Sequence, residues 1–276
     1  MYQFNKNNNI AKWKLNEFDK LNNDFDEAIY TAIEDQKIKE GLDYTNILLD
    51  IAGKTIVTVR EIICLTSNGF ADGAMSLART LYEHFIIVNF FEIHKNDSNF
   101  NHYVEDYYTD YYNSYNRYMK YTAKALGNTD LIKKINDSNE ELKAKAHRKL
   151  GRDYWWSGKN SFAELAESVG DYLSNNEKLR RLYIRANVLY KQACFSVHSN
   201  CFGNMWRLQY RADNHVTDTR PSEDGHGFPL ELTSISLIYI TCTICKHLSI
   251  DYIYFHDGFN KLAAFYVEIN NKGNRG

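Results

Sequence analysis

Proline is nearly missing from this chain: Pro221 and Pro229 are the only two, and the first 220 residues contain none. An interior proline deletes a backbone hydrogen bond and clashes with the preceding turn, so its absence leaves helices free to run long. A dominant charge is missing too. The 33 lysines and arginines nearly balance 35 aspartates and glutamates, for a net charge of −2. That excludes a protein that coats nucleic acid by overall charge alone, while a local basic face stays open. Cysteines number five (Cys64, Cys194, Cys201, Cys242 and Cys245), an odd count, mostly within apolar helical patterns. This argues against a disulfide framework and for buried thiols in a reducing compartment. Cys242 and Cys245 form a lone C-x-x-C with no second pair, so a structural role is expected. Long hydrophobic runs are lacking as well. The longest stretch free of Asp, Glu, Lys, Arg and His, residues 232–245, spans 14 residues rich in Thr and Ser, too short to cross a bilayer. The opening "MYQFNKNNNIAKWK" has no apolar signal-peptide core. The expectation is a soluble cytoplasmic protein with no membrane contact.

What is present is a chain of 276 residues, 44% hydrophobic, long enough to bury a core without metals or disulfides. Apolar residues recur at three-to-four spacing almost everywhere, with little strict alternation, which predicts an all-α, multi-helix bundle. Helices are expected near 10–36, 41–66, 71–95, 99–126, 129–149, 160–169, 176–199, 230–255 and 258–270. Gly69 is expected to stop the second helix and Asp72 to cap the third. No repeat or low-complexity tract marks a boundary, so the organisation expected is one helical domain, 41–276, behind an N-terminal helical extension, 1–40. The one long loop, 211–229, carries His215, Asp218, Glu223, Asp224 and His226. Their spacing matches no ligand pattern, so a solvated loop is expected, with no metal and no cofactor.

Chemistry concentrates first in "SLARTLYEHFIIVNFF", residues 76–91. On a helix, i and i+4 lie about 40° apart, while i and i+5 lie about 140° apart. Arg79 and Glu83 therefore share a face and His84 points well round from Arg79. A charge beside an apolar stripe needs a partner, and Glu83 is the obvious one. RNA cleavage without metal asks for the same residue types: a histidine to take the 2′-hydroxyl proton and an arginine to hold the phosphate. Both readings, ion pair and catalytic Arg-x4-His, stay open on spacing alone. In "VLYKQACFSVHSN", Tyr190, Cys194 and His198 fall at i, i+4 and i+8 on one face, as a site or as packing. "GRDYWWSGKNS" breaks the helical pattern, and its Trp155 and Trp156 either floor a pocket or cap the core. No phosphate loop is formed there, because the required glycine spacing is absent. Tyr107, Tyr108, Tyr111, Tyr115 and Tyr118 form a stripe fit to stack bases or to pack against another surface. The basic run "KAKAHRKLGR", with Arg180, Arg181 and Arg185 further on, is either phosphate-friendly or simply a solvated face.

"ARTLYEHF", "WWSGKNSFAELAESVG" and "LYKQACFSVHSN", in that order over about residues 50–205, resemble a bacterial helical family known only as a domain of unknown function. Its signatures are Arg-[Ser/Thr]-Leu-[Phe/Tyr]-Glu, a W-x-G-K-S segment and a Tyr-x3-Ser-x3-His helix; Cys194 stands here where the family has serine. That family is similar to the HEPN class (higher eukaryotes and prokaryotes nucleotide-binding) and to abortive-infection proteins. The resemblance implies a HEPN-like core and a metal-independent endoribonuclease of a toxin or antiphage system, acting as a homodimer. It implies Arg79 on the phosphate, Glu83 orienting it, and His84 or His198 as base. Trp156, Lys159, Tyr190 and Cys194 would then contact substrate, with RNA and a regulatory or antitoxin partner as binding partners. The alternative is a non-catalytic ligand- or partner-binding module, with Arg79, Glu83 and His198 as a structural polar network.

Overall fold

The computed structural model describes residues 12–150, 154–197, 226–251, 255 and 257–261. Eight α-helices run in chain order among them: α1 Lys12–Gln36, α2 Tyr44–Ser67, α3 Ala71–His94, α4 Phe100–Ala125, α5 Thr129–Lys145, α6 Phe162–Leu173, α7 Glu177–Val197 and α8 Gly227–His247. A 3-10 turn, Trp155–Ser157, precedes α6, and no strand occurs among the described residues. His198, Cys201, the loop carrying His215 through Asp224, and residues 262–270 of the last expected helix lie outside them.

The helix boundaries follow local chemistry. After Ser67 the chain turns on Gly69, whose φ of 84° is left-handed and suits a residue without Cβ. Phe70 N–H then donates to Leu65 O at 2.9 Å and Gly69 N–H to Thr66 O at 3.1 Å, which satisfies the last carbonyls of α2. Asp72, expected as the cap of α3, lies instead inside its first turn, where a carboxylate favours the positive end of the helix dipole. α8 ends at His247, short of the expected 255. There Ser249 takes the left-handed position (φ 55°), while Ile250 N–H reaches Cys245 O at 2.8 Å. The closure matches the one at Gly69, built on a residue that sequence gives no reason to choose.

The chain divides into two compact helical units. The first draws its described residues from within 1–39, 48–88 and 173–276. α1 turns Phe18, Leu21, Phe25 and Ile29 inward at three-to-four spacing, and its buried Asn22 donates to Ile56 O of α2 at 3.0 Å. α3 buries Ala74, Met75, Ala78, Leu81, Tyr82 and Phe85 along one stripe. Each large side chain so buried contributes about 1.5–3 kcal/mol of transfer free energy. α8 is buried nearly all round, as a central helix must be. Pro229 falls in its first turn, where the missing N–H has no helical partner to lose. Among the described residues α8 is the one helix long and apolar enough to cross a membrane by length and composition, and 78% of its apolar window is packed inside the fold.

The second unit comprises residues 40–47 and 89–172. α4 and α5 form an antiparallel hairpin through Gly127 (φ 65°) and Asn128, whose side chain caps α5 by accepting from Leu131 N–H at 3.0 Å. Asn116 clamps the pair by donating to Ser138 Oγ at 3.1 Å and Asn139 Oδ1 at 2.9 Å. The core of this unit is aromatic. Trp156, 2% exposed, stacks on Phe91 at 5.1 Å and 7°, and meets Tyr107 and Phe90 edge-on at 5.0 and 5.4 Å.

Candidate functional site

On α3, one turn of helix sets Arg79 and Glu83 together: Nη2 and Oε1 are 3.1 Å apart, with side chains 28% and 22% exposed. α7 supplies the third member, because Tyr190 donates its hydroxyl to the same Glu83 oxygen at 3.2 Å. The Tyr190 ring also lies under the Arg79 guanidinium, 5.6 Å from its carbon, and packs on the Tyr82 ring at 4.7 Å. A cation over an aromatic face is attracted by the ring quadrupole. Cys194, one turn further along α7, is a half-buried free thiol near enough to act electrostatically on both Arg79 and Tyr190. Arg79, Glu83, Tyr190 and Cys194 are thus brought together in the first unit.

Burial works against the charge on Arg79, but Tyr190 and Glu83 outweigh it and hold the guanidinium above its usual range. Burial pushes the Glu83 carboxyl up, with Arg79 and Tyr190 pulling it partway back. Burial also raises the Tyr190 hydroxyl, so it remains a neutral donor. The Arg79 Nε–H is buried and has no hydrogen-bond partner among the described residues. A buried guanidinium N–H without an acceptor costs free energy, and an oxyanion would relieve it. Chemically, the cluster offers a fixed cation with a buried, unused Nε–H donor, a carboxyl of raised pKa and a phenol.

His84 engages a different neighbour. Its Nδ1 lies 3.3 Å from the Thr55 hydroxyl of α2, whereas Arg79 turns to Tyr190 of α7. Burial first, and the charge of Lys54 second, push the His84 pKa from 6.5 down to about 4. The unfolded chain then takes up the proton before the folded one. Stability from the neutral ring is fully present above the ordinary value and is lost progressively as pH falls from 6.5 toward 4. From about pH 7.5 to about pH 5, the wild type is expected to lose about 2 kcal/mol more than His84→Gln, measured by denaturant unfolding. Parallel pH profiles for the two proteins would sink this assignment.

Trp156 and Lys159 belong to the second unit. Trp156 is committed to the ring stack described above, and the Lys159 backbone N–H donates to Ser157 Oγ at 3.3 Å. Trp155 donates its indole N–H to Asp110 Oδ1 at 2.6 Å. Cys242 and Cys245 are free thiols on α8, and burial pushes the Cys245 thiol up to about 12.

Two charged pairs escaped the sequence reading. Asp106, fully buried on α4, accepts from the His147 backbone N–H and from Arg148 Nη1, both at 2.8 Å. Glu231, fully buried on α8, takes both prongs of Arg185, Nε at 2.7 Å and Nη2 at 2.6 Å. In sequence, Arg185 groups with a basic face. The one available signal is Glu231 itself, a single carboxylate at the head of a helix whose next charged residue is Lys246. Among the described residues no three His, Cys, Asp or Glu side chains are placed to hold a metal ion.

A family model described as "Family of unknown function (DUF5677)" matches residues 45–214. No curated protein matches the chain, and no solved structure does. The family match spans more than half of the sequence and takes in Arg79, Glu83, Tyr190 and Cys194, so the protein belongs to this all-helical family of unknown function.

Proposed function

We propose that the protein is a HEPN-like endoribonuclease of a toxin or antiphage defence system, working without a metal, in which Arg79 holds the scissile phosphate. The observation that carries the reading is the Arg79 guanidinium, fixed by Glu83 and Tyr190 yet left with a buried Nε–H that has no acceptor among the described residues. The motif resemblance supplies the reaction class. A 2′-oxygen attacks phosphorus as a base takes the 2′ proton, and the P–O5′ bond breaks to leave a 2′,3′-cyclic phosphate, with water protonating the departing 5′-oxygen. Arg79 neutralises charge that grows on the phosphoryl oxygens, while Glu83 and Tyr190 keep its fork from turning. His84 is a poor base for this step, being hydrogen-bonded to Thr55 and of depressed pKa. His198, which follows Tyr190 and Cys194 at helical spacing in sequence, is the base we assign. The protein acts in the cytoplasm as a homodimer in this proposal.

A second reading has its own support. The Arg79–Glu83 pair is intrahelical and Tyr190 closes it, so the cluster also serves as a polar tie between α3 and α7 in a ligand- or partner-binding module. Arg79→Ala separates the two. The nuclease reading expects RNA cleavage to fall by about 10²-fold or more with little change in melting temperature, and His198→Ala to match it while His84→Ala does not. A wild type that cuts no RNA, together with a clear stability loss in Arg79→Ala, would establish the structural tie instead.

A further inference from the structure

Of the tyrosines that the sequence places along α4, the structure commits some to the fold and leaves others bare. Tyr107 packs on Phe91 and Trp156, and the Tyr108 hydroxyl donates to Asp43 O at 3.0 Å. Tyr111, Tyr115 and Tyr118 instead line one outward face at i, i+4 and i+7, with Tyr112 and Tyr121 flanking it, all between 41% and 74% exposed. Five bare rings thus spread over about 15 Å of helix, at 1.5 Å per residue. Every exposed large hydrophobic side chain on this part of α4 is a tyrosine; no Leu, Ile, Val or Phe accompanies them before Leu126.

Along α4 itself, the charges set between and after the exposed rings are of one sign. From residue 111 to residue 129 the sequence carries Arg117, Lys120 and Lys124 and not one Asp or Glu. Arg117 donates to Ser114 Oγ at 2.9 Å and Lys120 to Asn136 Oδ1 at 2.6 Å, both neutral partners. In a chain of net charge −2 this is a local reversal of sign.

We infer that the outward face of α4, from Tyr111 to Lys124, is a binding surface for single-stranded RNA. Unpaired bases stack on flat aromatic faces whatever their identity, and each phosphate meets a cation. Inside a duplex the base faces are already stacked, so this surface discriminates against it. A second copy of the chain fits less well, since a two-fold interface sets three cations against the same three. An acidic protein would answer the cations but leave the row of rings without aliphatic side chains to build an interface core. The choice of RNA rests on the proposed function; the surface itself does not depend on Arg79 or on cleavage.

The test is fluorescence anisotropy with a labelled oligouridine of about 20 nucleotides and a duplex of equal length. The wild type is expected to bind the single strand and to bind the duplex less tightly. Tyr115→Ala with Tyr118→Ala should weaken binding roughly tenfold per ring at unchanged melting temperature, and the corresponding pair of Phe substitutions should retain it. Arg117→Gln with Lys120→Gln should flatten the log–log salt dependence by about 1.4, at about 0.7 per cation on a single strand. A wild type that cuts no RNA but still binds oligouridine, with the loss in the alanine pair intact, tells the two proposals apart. Absence of oligouridine binding, or binding unmoved by the alanine pair, overturns the inference. So does self-association in sedimentation that the alanine pair abolishes, which would give this face to a second copy.

Discussion

Asp106→Ala is expected to lower the melting temperature by about 10 °C, corresponding to a loss of about 3 kcal/mol or more. The carboxylate has no exposed surface, while its partner Arg148 keeps 24% of its side chain in solvent. Removing it strands the His147 backbone N–H, which it accepts at 2.8 Å, and takes the counter-charge from a guanidinium seated over the Tyr103 ring at 4.1 Å. Arg148 retains its bond to Trp156 O at 3.3 Å, so the turn carrying the tryptophans keeps its hold on Arg148 but loses the link through it to α4. Asp106→Asn keeps an acceptor for the N–H but not the charge, so its cost should fall between wild type and alanine. Thermal unfolding followed by circular dichroism reads the series. Equal melting for alanine and wild type would mean that Asp106 ties nothing together, and added salt should change the ranking little because the carboxylate is buried.

The parts of this fold legible in sequence were those set by neighbours along the chain. Gly69 predicted the end of α2 because a left-handed turn there needs a residue without Cβ, and the chain meets that need at φ 84°. Arg79 and Glu83 were legible as a pair because one helical turn brings them together whatever packs around them. Partners far apart in the chain were not legible. Tyr190 stands out in sequence with Cys194 and His198, but nothing local pairs its hydroxyl with Glu83, 107 residues away. Asp106 reads in "VEDYY" as one more helical acid; only the placement of Arg148, 42 residues on, makes it a buried anchor. Ser249 closes α8 in a conformation that its side chain does not favour, which is why the predicted helix ran on to 255. The tyrosine row was visible as a pattern, but sorting Tyr107 and Tyr108 from Tyr111, Tyr115 and Tyr118 required knowing which face met the core.

Arg185→Ala is expected to destabilise the protein more than Glu231→Ala, although both remove the same ion pair. Glu231 has no exposed side-chain surface, while Arg185 keeps 30% of its own in solvent. Deleting the arginine leaves a carboxylate inside a helix whose neighbouring residues, Leu230 and Leu232, are buried and apolar, a loss of about 3–5 kcal/mol. Deleting the glutamate leaves a guanidinium that can turn toward water, at a cost nearer about 2 kcal/mol. Replacing both at once, Arg185→Met with Glu231→Leu, should return stability to within about 1 kcal/mol of wild type, because the desolvation of two charges disappears with their attraction. Denaturant unfolding of the four proteins measures all three differences. A double variant as unstable as Arg185→Ala would show that the pair contributes more than the removal of a stranded charge explains. The two-pronged geometry, Nε and Nη2 each on its own oxygen, would then be what fixes the register of α7 on α8.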